Sequence, residues 1–133
     1  FILCMMAKRL SKALRGKRRW VGLECSERFT SRSLLEKQIS NLLEANQLSG
    51  DFRLMDFHAC GSEVSQVASK ELELDEQRGF AILEIPHPSY HEVRQCFASE
   101  ASYSQHGIAS LTSSGKIRLV RERLMLPRPI RNN

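Results

Sequence analysis

Residues 78–85, Arg-Gly-Phe-Ala-Ile-Leu-Glu-Ile, constrain the fold more than any other stretch of the chain. In an extended strand, successive side chains point to opposite faces. Ala81, Leu83 and Ile85 therefore share one face, and Phe80, Ile82 and Glu84 share the other. Both faces are largely apolar. If helices cover the first, the second must be covered by a terminal helix or a partner, or must stack on bases. Pro86 and Pro88 end the strand, because proline cannot donate to a sheet ladder.

Three further strands are expected around this one. Residues 19–25 alternate, with Val21, Leu23 and Cys25 on one face and Trp20, Gly22 and Glu24 on the other. Residues 52–59 and, more weakly, 105–112 also read as strands. Between the first two, Thr30 or Ser31 can cap a helix whose apolar stripe is Leu35, Ile39, Leu42 and Leu43, ending near Ser49-Gly50. A second helix is expected from Ser89, with Val93, Cys96 and Phe97 inward. Residues 61–78 are polar and acidic with little periodicity and read as a long loop with room for a helical turn. The order is β-α-β-β-α-β, which predicts an α+β, ferredoxin-like or RRM-like sandwich with one antiparallel sheet. Additional terminal helices are expected over 8–14 and 116–126, the latter with Ile117, Val120 and Leu124 on one side. The expected organisation is a basic N-terminal arm over 1–18, one sandwich domain over 19–126 and a basic tail over 127–133.

Charge is segregated along the chain. Residues 1–19 hold seven basic groups and no acid, and residues 115–133 hold six basic groups and one acid. Residues 20–114 hold seven basic groups against fourteen acids. Basic ends on a mildly acidic body suit a polyanion, of which nucleic acid is the commonest. Ser114-Gly115-Lys116-Ile117-Arg118 adds a small turn opening a basic helix, an arrangement that offers backbone N–H groups to phosphate. Arg78-Gly79-Phe80-Ala81 matches the opening of the RNP1 signature of RNA-recognition motifs, although Ile82 stands where that signature needs a stacking aromatic.

Enzyme signatures are weak. His87 and His91 are separated by a proline, and His58 and Cys60 lack a second ligand pair. Glu71, Glu73, Asp75 and Glu76 read as a solvated run. The chain carries no nucleophile elbow, P-loop or Cys/His nucleophile signature, so no protein-borne active site is expected. The four cysteines (Cys4, Cys25, Cys60 and Cys96) are scattered, which points to a reducing compartment. No stretch approaches the ~20 apolar residues of a membrane span, so no membrane association is expected. The chain does not begin with Met, and Met5 or Met6 is the expected natural start.

Several of these pieces together resemble the ribonuclease P protein component 2 family, the archaeal and eukaryotic Pop-five family. Residues 14–21, Leu-Arg-Gly-Lys-Arg-Arg-Trp-Val, look like its basic lead-in to the first strand. Gly79-Phe80-Ala81-Ile82-Leu83 is similar to its Gly-Ile-Leu-Arg strand, and residues 114–118 to its Ser-Gly-Thr-Ile-Arg turn. The order and spacing fit across roughly residues 14–128. Two features depart: Lys116 replaces the threonine of that turn, and the segment 59–78 is long and lacks an Asn-Pro-Trp that archaeal members often carry.

The resemblance implies a non-catalytic subunit. It would support the catalytic domain of the ribonuclease P RNA in removing the 5′ leader from precursor tRNA. The protein would hold no cofactor, with magnesium on the RNA subunit. The implied partners are that RNA, protein component 3, a second copy of the chain and, indirectly, precursor tRNA. The implied compartment is the archaeal cytoplasm, or the nucleolus in a eukaryote. The expected RNA contacts are Lys17, Arg18, Arg19, Gly115, Lys116, Arg118 and Arg121. Of these, Gly115 and Arg118 rest on the family motif and the others on charge and position. The alternative is a free-standing RRM-like single-strand RNA-binding protein that stacks bases on Phe80.

Overall fold

A computed structural model describes residues 18–48, 52–98 and 100–128. The expected helix over 8–14 lies outside them, as does Lys17. Within them lies a four-stranded sheet with five helices: β1 (Arg18–Cys25), α1 (Arg32–Ala45), β2 (Arg53–His58), α2 (Glu63–Glu71), β3 (Gly79–Pro86), α3 (Tyr90–Phe97), α4 (Glu100–His106), β4 (Ile108–Ser114) and α5 (Ile117–Arg123). The strand order is β2-β3-β1-β4 and every neighbouring pair is antiparallel. The protein is thus α+β, compatible with a ferredoxin-like fold.

The alternation read from sequence decides which side of the sheet each residue serves. Val21, Leu23 and Cys25 of β1 and Ala81, Leu83 and Ile85 of β3 pack under α1 and α3, against Leu35, Ile39, Val93 and Phe97. Ser31 caps α1 by accepting from the Leu34 amide at 3.3 Å. The opposite face holds Phe80 and Ile82 together with Ala68 of α2, Val120 of α5 and Leu124 just past its end. The apolar second face of β3 is therefore closed by two helices of the same chain. Phe80 is 0% exposed, so it is a core residue and not a stacking platform. Gly22 lets α5 lie close to the sheet, since a Cβ there would come within 2.8 Å of Leu124 Cδ1 and 3.0 Å of Val120 Cγ1.

Four expectations are corrected. Residues 61–78 are not a plain loop: Ser62 caps the nine-residue α2, with its hydroxyl accepting from the Ser65 amide at 3.2 Å. Only small or sparse apolar residues mark its inner side, with Ala68 buried and Val64 and Leu72 packed at the margin of the cluster. The weak strand expected at 105–112 is displaced, because 100–106 continue as α4 and β4 begins at Ile108. Gly107, at φ 76°, makes the turn between them, a conformation that glycine adopts without steric cost. The last helix is two turns long rather than spanning 116–126. Arg18 belongs to β1, not to an arm, and its guanidinium meets Glu84 at 3.2 Å on the outer face.

Candidate nucleic-acid interface

Two groups of arginines stand out among the described residues by their partners, one tied to carboxylates and one not. Asp56 and Ile82 are paired across β2 and β3, so Asp56 stands on the outer face beneath α5. There Arg121 grips it with both arms, Nε at 2.8 Å and Nη2 at 3.1 Å. Both side chains are mostly buried, at 17% and 10% exposure. Arg121, expected as a phosphate contact, is thus engaged as a staple between helix and sheet. Arg18 is similarly tied to Glu84. Arg78 bonds Glu24, and its guanidinium carbon lies 3.9 Å from the Tyr103 ring centroid. Burial raises the Glu24 carboxyl above its ordinary pKa of 4.5, against the lowering effect of Arg78.

The second group lies at the end of the sheet where β1 begins and β4 stops. Arg19 follows the face of β1 that carries Val21, so it points toward α3. There its guanidinium carbon lies 4.7 Å from the Tyr90 ring centroid. Arg94, one turn further along α3, donates from Nη1 to the Tyr90 hydroxyl at 3.0 Å. That hydroxyl also shares a hydrogen bond with Ser113 Oγ of β4. On the other side of the same residue, Arg123 of α5 donates to the Ser113 carbonyl at 2.9 Å and to Thr112 Oγ1 at 3.2 Å. Among the described residues, no carboxylate lies within ion-pair distance of Arg19, Arg94 or Arg123. Arg19 Nε is buried and meets no acceptor among them.

Burial opposes ionisation of the Tyr90 phenol. The hydrogen bonds from Ser113 and Arg19 and the charges of Arg94 and Arg19 outweigh it, and the pKa falls below its ordinary value of 10. This marks the locality as electropositive. Gly115 adjoins it: a Cβ there would sit 3.3 Å from Arg19 Nη1, so glycine leaves the guanidinium its place. Lys116 and Arg118 are exposed beyond the turn. Lys116 occupies the N-cap of α5 without a side-chain cap bond, and its own amide donates to Ser114 Oγ at 3.2 Å. A helix of two turns sums few peptide dipoles, so any pull on phosphate here comes from Lys116 and Arg118 as charges rather than from the helix end.

Of the expected contacts, Gly115 lies against Arg19, and Lys116 and Arg118 follow it in the chain as exposed residues. The structure ties Arg18 and Arg121 to carboxylates elsewhere. Tyr90 and Arg94 were not expected. Arg94 and Tyr90 lie four apart on one helix face, which could have drawn attention to them, but their neighbours come from β1 and β4 and leave no mark in local sequence. Among the described residues, no three His, Cys, Asp or Glu side chains form a group that could hold a metal ion. No helix among them is long and apolar enough to cross a membrane.

A groove of about 600 Å³ lies between α2 and the chain leaving α5. It is lined by Val64, Val67, Met125, Leu126 and Pro127, with Glu63 and Glu122 beside them. No protein-family model, curated protein or solved structure matches this chain.

Proposed function

We propose that this protein is a non-catalytic RNA-binding subunit of ribonuclease P, with a ferredoxin-like or RRM-like core. One observation supports it most: Arg19, Arg94 and Arg123 gather at one end of the sheet with no carboxylate partner among the described residues. Lys116 and Arg118 add exposed charge after β4, and residues 1–17, which precede β1 in the sequence, hold five further basic groups. Neutralising phosphates there would give affinity that depends on backbone charge and shape, as a folded RNA requires.

The choice of ribonuclease P over other RNA partners rests on the resemblance in residues 14–21, 79–83 and 114–118. The same resemblance supplies the catalytic RNA with its magnesium, protein component 3, self-association and precursor tRNA as partners. The outer sheet face is not open to any of them, because α2 and α5 cover it. That cover also disfavours the alternative of a single-strand binder, whose bases would need Phe80.

The test reverses charge without touching the core. The double variant Lys116→Glu, Arg118→Glu should weaken binding to a ribonuclease P RNA at least tenfold at moderate salt. Its dependence of log affinity on log salt should be shallower by about two, one for each phosphate left unneutralised. The melting temperature should hold, since both side chains are exposed. Equal affinity in the variant and the parent would refute the reading.

A further inference from the structure

Tyr90 fixes two guanidiniums at once. Both Arg19 and Arg94 lie within 6 Å of its ring centroid, and Arg94 is held by the hydroxyl. Ser113 connects this pair to a third cation, with its hydroxyl on Tyr90 and its carbonyl on Arg123. Each guanidinium presents five N–H donors in a planar fork, and these anchors occupy only some of them. Elsewhere the fold gives Arg18, Arg78 and Arg121 carboxylates and Arg32 the backbone carbonyls of Leu54 and Met55. Here it orders three and supplies no anion.

We propose that Arg19, Arg94 and Arg123, positioned by Tyr90 and Ser113, form a binding site for a phosphoryl group. The site deepens the RNA-binding reading, on which it rests for the carrier of that phosphate: a backbone phosphodiester of structured RNA. The geometry favours a phosphoryl group because its tetrahedral oxygens can take forked donors from more than one guanidinium at once. Anchoring the side chains beforehand lowers the entropy lost on binding. The Tyr90 hydroxyl acts as a positioning group: it sets where the Arg94 fork points.

The experiment titrates the full chain with inorganic phosphate against chloride at matched ionic strength. Arginine Nε–H resonances are followed by NMR. Saturable shifts are expected at Arg19, Arg94 and Arg123, larger than those at the exposed Arg118 and Arg128. Arg94→Ala should weaken phosphate binding at least tenfold. Tyr90→Phe, which keeps the ring and every charge, should weaken it severalfold while thermal unfolding reports an intact fold. Shifts no different from those in chloride, or spread evenly over all exposed arginines, would overturn the site.

A second arm uses a structured RNA. If Arg94→Ala lowers RNA affinity tenfold and makes the salt slope shallower by about one, the ligand is a backbone phosphate. If phosphate binding is lost while RNA affinity holds, the site takes a free phosphoryl ligand and the RNA assignment for it is overturned. Phosphate binding by a parent chain that binds no RNA would overturn the RNA-binding reading and leave the site standing.

Discussion

Replacing Phe80 with alanine separates a covered sheet from an RNA-stacking one. The ring is fully buried between the sheet and the two helices on its outer side, where Ala68, Ile82, Val120 and Leu124 share its cluster. Removing a buried phenylalanine side chain costs about 3–5 kcal/mol, the sum of lost transfer energy and the cavity left behind. Domains of this size have net stabilities of about 5–15 kcal/mol, so the loss is a large fraction of the whole. At roughly 4 °C per kcal/mol, the melting temperature should fall by about 12–20 °C. Circular dichroism melts give that number. RNA affinity, measured well below the lowered midpoint, should be unchanged. An exposed stacking residue would behave oppositely: near-native stability with about 1–3 kcal/mol of binding lost. Finding that second pattern would refute the covered-face account.

Three other perturbations probe separate parts of the structure. Arg121→Ala strands the mostly buried Asp56 carboxylate and should cost about 2–4 kcal/mol, while replacing both residues by leucine should recover most of it; equal loss in single and double variants in urea melts would contradict the staple. Gly22→Ala pushes a methyl group into Leu124 and Val120 and should destabilise by about 1–3 kcal/mol through displacement of α5, read from the same melts. Burial holds His58 below its ordinary pKa of 6.5, with Arg32 adding to the effect and Asp56 opposing it. The unfolded chain therefore takes up the proton first, so this contribution to stability is complete above about pH 6.5 and is lost as pH falls below it. His58→Gln should flatten the decline in urea midpoint between pH 7 and 5; parallel declines would exclude His58 as its source.

The helices and strands that carry large apolar residues at regular spacing were legible without a structure. Leu35, Ile39 and Leu43 mark α1, and the alternation through Phe80–Ile85 marks a strand buried on both sides. What stayed hidden was α2, whose inward surface is built from small or widely spaced residues such as Ala68 and Ser65. Its helix is held by the Ser62 cap and by the apolar underside it covers, and neither makes a strong periodic signal.

Sequence by itself determined the sidedness of each strand, because alternation is a local property of extended backbone. It also determined the concentration of positive charge at the two ends. Only the tertiary structure decided what each charge does. Arg121 and Arg123 are two residues apart, yet one is locked onto Asp56 of β2 and the other rests on the edge of β4. Arg19 was visible as a cation, but its alignment with Arg94 depends on β1 and α3 meeting over Tyr90. Ion pairs are set by distances of a few ångströms between residues far apart in the chain, and strand register, not local composition, fixes those distances.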